Sequence, residues 1–162
     1  MDMQSRIIEL SRKPLTPVQF MKKSSLPKWF YDLASFVREN ADREYDIDWL
    51  ATCLKDIASY DKETHELTFE RNAKLHYFGK RFGAFQRIAG EILQQPLETF
   101  AGMQGHTIEI LLEELDNAFA YKRGFYIYFE GELLPLESWL RLTDLYGGFY
   151  FGGTLCWGDS NG

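Results

Sequence analysis

The chain has little of what compact catalytic motifs are built from. Its 162 residues include two cysteines, Cys53 and Cys156, and three histidines, His65, His76 and His106. No CxxC pair is present, which excludes the common zinc spacings. The histidines are scattered, and no GxSxG, HExxH or Cys–His signature accompanies them. Neither a metal nor a cofactor is therefore expected. The two cysteines stand far apart and are expected as free thiols of a reducing compartment, where cysteine commonly serves as a small buried residue. Long hydrophobic runs are also missing. Nothing approaches the roughly 20 apolar residues of a membrane span. Residues 1–10 carry Asp2, Arg6 and Glu9 and do not read as a signal sequence. The expected compartment is the cytoplasm, with no membrane association.

Aromatic residues, by contrast, are abundant: 13 Phe, 9 Tyr and 4 Trp. Each buries a large area, so a core of this size needs no disulfide or metal to hold it. Length predicts one domain over 1–162, with 1–14 and 159–162 as frayed ends. The net charge of −6 is unevenly distributed. Residues 1–30 hold six basic and two acidic side chains, whereas residues 91–162 hold three and eleven. The chain thus starts basic and ends acidic.

Periodicity places a central helix over 71–95. Leu75, Phe78, Phe82, Phe85, Ala89 and Ile92 recur at intervals of three and four, an aromatic stripe suited to a core. Before it, Ile7, Ile8 and Leu10 suggest a short helix within 1–13. Thr16-Pro17 opens a short helix to Lys23. Trp29 to Asn40 reads as a helix, as does Asp46 to Tyr60 with Asp46 as its cap. His65 to Phe69 is a short edge strand or an extended lead-in. Pro96 stops the central helix, and Thr107 to Phe119 forms the next. After Gly124 the period changes. Phe125 to Phe129 suits a pleated surface and returns through Glu130-Gly131 as a hairpin spanning 125–134. A short helix runs from Pro135 to about Asp144. A second hairpin over 149–157 turns at Gly152-Gly153. The expected fold is α+β: an N-terminal layer of four to five helices, then a small antiparallel C-terminal sheet of two hairpins.

Four features are candidates for function. Arg71, Lys74, Lys80, Arg81 and Arg87 form a basic face on the helix over 71–95, which would suit phosphates; a solvated face is the plainer reading given the net charge. The glycine pairs 147–148 and 152–153 lack the following helix that a phosphate cradle needs, and read as turns. His76, His106 and Cys53 are the candidates for an enzyme whose site is assembled from distant residues. The acidic last third offers a surface for a basic protein. Strand alternation sets Tyr126 and Tyr128 on one face of the first hairpin, next to Glu130 and Glu132. If Phe125, Ile127 and Phe129 cover the helices, that tyrosine face looks outward and suits an interface. The leading expectation is a small acidic protein-binding module acting by surface contact, in the manner of an inhibitor, immunity or anti-defence protein. Its site would be Tyr126, Tyr128, Glu130 and Glu132. An enzyme, or a nucleic-acid binder using helix 71–95, is the alternative.

Overall fold

The structure, a computed structural model, describes residues 5–39, 42–120 and 124–158. It divides into two compact units: Met1–Ala73 with Arg123–Gly162, and Lys74–Lys122.

The first unit is built on a seven-stranded mixed sheet of β1 Ser5–Ser11, β2 Phe36–Glu39, β3 Ala58–Asp61, β4 Glu66–Phe69, β5 Phe125–Phe129, β6 Glu132–Pro135 and β7 Gly148–Gly158. The order is β3-β4-β7-β1-β5-β6, with β2 also on β7. β1 runs parallel to β5, pairing Ile8 with Ile127; the other pairings are antiparallel. This arrangement overturns the expected order of helices first and a two-hairpin sheet last. Residues 5–11 form a central strand instead of a helix or a frayed end. Ile7, Ile8, Glu9 and Leu10 are all buried. A strand covered on both faces loses its alternation and becomes a short apolar run, which periodicity alone does not separate from a helix.

The second expected hairpin is likewise corrected. Residues 148–158 are one continuous strand, and Gly152-Gly153 lie within it. These glycines serve close approach. A Cβ at Gly152 would overlap the Glu9 carboxylate, and one at Gly153 would press on Phe20. Glu9 Oε1 accepts hydrogen bonds from Met21 N at 2.8 Å and Gly153 N at 3.0 Å. The buried carboxylate thereby ties the 12–22 segment to β7. One edge of β7 is paired with β1. The other edge meets β4 near Phe149 and β2 near Trp157. Between those two pairings Arg43 donates from Nε to Gly152 O and from Nη2 to Phe151 O. An arginine thus closes a gap that no strand fills.

Each face of this sheet is covered. On one side, two 3-10 turns, Pro17–Gln19 and Lys23–Ser25, lead into α1 Lys28–Leu33. Met21, Leu26, Phe30 and Ala34 pack there with Ile7, Leu133 and Leu155. The helices expected over 16–23 and 29–40 shrink to these short pieces, and residues 36–39 become β2; Asn40 lies outside the described residues. On the other side lie α2 Arg43–Cys53 and α6 Leu136–Leu142. Trp49 of α2 meets Phe125, and Trp139 of α6 meets Phe129 and Phe149. The cap of α2 is Asp42, whose Oδ1 accepts from Tyr45 N, and not Asp46. Asp46 is fully buried and pairs with Arg6 Nε at 2.7 Å.

The second unit consists of α3 Ala73–Leu93, α4 Leu97–Ala101 and α5 Gly105–Phe119, with α3 starting at its boundary. The helix expected over 71–95 forms, but it is not the core helix that its aromatic stripe implied. Phe82 is 57% exposed and Leu75 is exposed, while Ile88 is buried. Phe85 stands 6.2 Å from Phe119, ring centre to ring centre. Three interior glycines, Gly79, Gly83 and Gly90, have no described atom within 4 Å of an added Cβ. Each costs the helix about 1 kcal/mol relative to alanine.

Candidate functional site

The most chemically distinctive recess of the first unit lies at the tip of the β5–β6 hairpin. Phe129 pairs with Glu132, and Glu130 and Gly131 form the two-residue turn between them. Both turn residues have positive φ, 51° and 80°. A two-residue turn with that backbone matches the right-handed twist of its strands and fixes the register. It holds Glu130 and Glu132 on either side of the tip. Parallel pairing of β1 with β5 brings Leu10 beside Phe129, so Arg12 emerges at the same end. Its guanidinium sits 4.1 Å from the Phe149 ring centre and donates to the carbonyls of Asp144 and Tyr146. The α6 helix ends close by: Thr143 N bonds Trp139 O, and the Asp144 carboxylate accepts from Tyr146 N.

Together these elements enclose a cavity of about 320 Å³, lined by Arg12, Phe129, Glu130, Glu132, Leu134, Trp139, Leu142, Thr143 and Asp144. Three carboxylates and one guanidinium line it, and Nη1 and Nη2 of that guanidinium each donate to a main-chain carbonyl. The local balance is negative; of the lining residues Phe129 and Trp139 are aromatic, and Arg12 already stands 5.8 Å from the Phe129 ring centre. Trp139 is 1% exposed, and its Nε1 has no acceptor among the described residues. Carboxylates at the rim suit a cation through charge.

The four residues named from sequence are divided by the sheet. Glu130 and Glu132 line this recess. Tyr126 and Tyr128 lie on the opposite face, partly buried against the Met21, Leu26 and Phe30 cluster. Tyr126 packs edge-on to Phe30 at 5.1 Å and to Trp157 at 5.5 Å. Burial holds its hydroxyl above the ordinary tyrosine range. The tyrosine face is therefore not outward; segment 17–34 covers it. Arg12, Phe129, Trp139 and Asp144 were not anticipated. Their only sequence signal is position, at the ends of apolar runs, and it becomes meaningful once β1 is placed beside β5.

The other candidates are dispersed. Cys53 is half-buried at the end of α2 in the first unit, while His76 and His106 are exposed on α3 and α5 of the second. Both cysteines are free thiols. Burial pushes the Cys156 thiol up, with smaller effects from Arg6, Asp46 and Arg38. His65 sits at positive φ in the β3–β4 turn, 3.1 Å from the Tyr60 hydroxyl. Among the described residues no group of three metal-ligating side chains converges. Of the basic residues on helix 71–95, Arg81 lies over Tyr77 and Phe78, and Arg87 pairs with Glu91 at 2.9 Å. Gly147 has positive φ, as a turn requires, and leads into β7 instead of a helix. Among the described residues no helix is long and apolar enough to cross a membrane. Compared with known protein families, curated proteins and solved structures, the chain has no match.

Proposed function

We propose that this protein is a binding module that recognises a basic partner protein, and that its acidic recess receives a lysine or arginine side chain of that partner. The observation that carries this reading is the set of three carboxylates, Glu130, Glu132 and Asp144, around a cavity of about 320 Å³. That volume lies at the lower end of ordinary ligand sites, roughly 300–1,000 Å³, and accommodates one long side chain. The hairpin backbone is held by its turn and by pairing of β5 with β1, so the positions that carry the acids are fixed before contact. Pre-ordering lowers the entropy lost on binding. A partner's cation would exchange water for carboxylates, and the acidic chain as a whole would speed encounter with a basic surface. An inhibitor, immunity or anti-defence protein acting by surface contact would use such a recess.

The test uses short peptides as probes, identical except for one central Lys, Arg, Gln or Glu. Fluorescence anisotropy should rank Arg and Lys above Gln, with Glu weakest, and affinity should fall as salt rises. The Glu130→Gln, Glu132→Gln variant should keep its thermal melt and lose at least about tenfold in affinity for the basic peptides, which corresponds to about 1.4 kcal/mol. Equal binding of all four peptides, or undiminished binding by the variant, rules the recess out.

A further inference from the structure

We propose that the basic partner docks as an extended segment, added as one further strand along the free edge of β6, and that its lysine or arginine enters the recess from that strand. This docking rests on the reading of the recess as a cation site and adds the conformation and register of what enters it. β6 ends the sheet: it pairs with β5 and with no other strand among the described residues. The two-residue turn decides which of its main-chain groups are left over. Glu130 and Gly131 take positive φ, so Phe129 and Glu132 form the hydrogen-bonded pair that closes the hairpin. Bonded and non-bonded pairs then alternate. Tyr128 and Leu133 face each other without bonds between them, and Ile127 and Leu134 bond again. Leu133 therefore directs both its N–H and its C=O away from β5, and neither has a main-chain partner among the described residues. Pro135, next in line on that side, has no N–H to offer. The edge thus presents one donor and one acceptor, both on Leu133, with Glu132 and Pro135 exposed to either side.

Unpaired main-chain groups specify a main-chain partner. A lysine on a helix could reach the carboxylates, but a helix spends its own N–H and C=O groups internally and leaves Leu133 unmet. One residue of an antiparallel segment meets both groups, donating to Leu133 O and accepting from Leu133 N. The side chains follow from that register. Glu132 and Leu134 line the recess, whereas Leu133 belongs to the Met21, Leu26 and Phe30 cluster on the opposite face. The docked residue across from Leu133 shares that opposite face. Its C-terminal neighbour lies across from Glu132, and its N-terminal neighbour across from Leu134. Cross-strand neighbours stand about 4.5–5.5 Å apart. A lysine or arginine beside Glu132 therefore enters among the three carboxylates, and an apolar residue beside Leu134 extends the lining. The preferred segment reads apolar, any residue, basic. Two main-chain bonds alone hold no strand, and a short edge ended by proline resists unselected pairing. Charge complementarity with the acids thus chooses the segment, and the Leu133 bridge sets its register.

The free protein supplies the first check. By hydrogen exchange read by NMR, the Leu133 amide should exchange at least about tenfold faster than those of Glu132 and Leu134, which bond to β5. Equal protection of the three overturns the open edge. Binding is then measured by fluorescence anisotropy with a capped seven-residue peptide that has Leu-Thr-Lys at its centre. Methylating the main-chain nitrogen of the central Thr removes the donor to Leu133 O and should weaken binding at least about tenfold. Methylating that of the Lys, which points away from β6, should change affinity by less than about twofold. Saturating peptide should slow exchange of the Leu133 amide. Undiminished binding of the methyl-Thr peptide, with the peptide carrying Gln in place of Lys weakened, overturns the added strand and leaves the recess standing. Equal binding of the Lys and Gln peptides, with the methyl-Thr peptide weakened, removes the recess and with it the register proposed here. A lactam-stapled helical peptide presenting the same lysine and binding as tightly overturns the extended conformation.

Discussion

Glu9 offers the sharpest measure of how the first unit is held together. Its side chain is nearly buried in the middle of β1, and one oxygen accepts from two main-chain amides, Met21 N at 2.8 Å and Gly153 N at 3.0 Å. Glu9→Ala leaves both amides without that acceptor. At about 1–3 kcal/mol for each buried donor left unmet, the loss should be about 2–6 kcal/mol. A domain is stable by only about 5–15 kcal/mol, so this is a large share. Glu9→Gln keeps an acceptor of the same shape but replaces charge-assisted bonds with neutral ones. It should cost less, about 1–3 kcal/mol. The same contact predicts a coupling. A Cβ at Gly152 would overlap the carboxylate, so Gly152→Ala should be costly in the wild-type chain and much cheaper where Glu9 is already alanine. The double-mutant cycle should return about 2 kcal/mol or more of interaction. The assay is urea unfolding followed by tryptophan fluorescence. All four tryptophans, Trp29, Trp49, Trp139 and Trp157, belong to the first unit, so the signal reports that unit alone. A loss below about 1 kcal/mol for Glu9→Ala, or an additive cycle, would refute the account of Glu9 as the tie between the 12–22 segment and β7.

Two further outcomes are expected. Phe30→Ala should cost about 3–5 kcal/mol, because its ring is fully buried among Trp29, Tyr126 and Trp157; Phe82→Ala, at a half-exposed position, should cost less than about 1 kcal/mol, and equal unfolding midpoints for the two variants would show the burial pattern to be wrong. Stability should also fall at alkaline pH through Tyr126. Burial raises its folded-state pKa above the ordinary 10.0, so above that pH the unfolded chain gives up its proton first. The contribution is fully present below about pH 10 and is lost as pH rises through the raised folded value. Tyr126→Phe should flatten the decline between about pH 9.5 and 11 relative to wild type, and identical slopes for the two proteins would dismiss the buried hydroxyl as its source.

What could be read in the sequence was whatever is local. The β5–β6 hairpin follows from Phe125 to Phe129 and a Glu130-Gly131 turn, and the α5 helix follows from its own period. What could not be read depends on partners far along the chain. Leu75 and Phe82 have the spacing of a core stripe, yet spacing reports only that a face is apolar and not what covers it. Tyr126 and Tyr128 alternate with Phe125 and Ile127 as a strand requires, but alternation implies one wet face only when a single layer packs on the sheet. Here segment 17–34 covers the second face, and no pattern within 125–129 announces it.

Two glycine-containing dipeptides show the same limit most sharply. Glu130-Gly131 and Gly152-Gly153 both follow runs of Phe and Tyr, and each reads as a two-residue turn. At the first, both residues take positive φ and the chain reverses. At the second the backbone stays extended, because the glycines are there for want of a side chain and not for backbone freedom. The residue that requires Gly152 is Glu9, on a strand from the opposite end of the chain. A buried carboxylate in a central strand is costly unless it is bonded, and bonding it here takes two amides and a neighbour without a Cβ. Sequence presents the glycine and the glutamate separately. Only the pairing of β1 with β7 shows that each accounts for the other, and the same β1, running on beside β5, delivers Arg12 to the acidic recess.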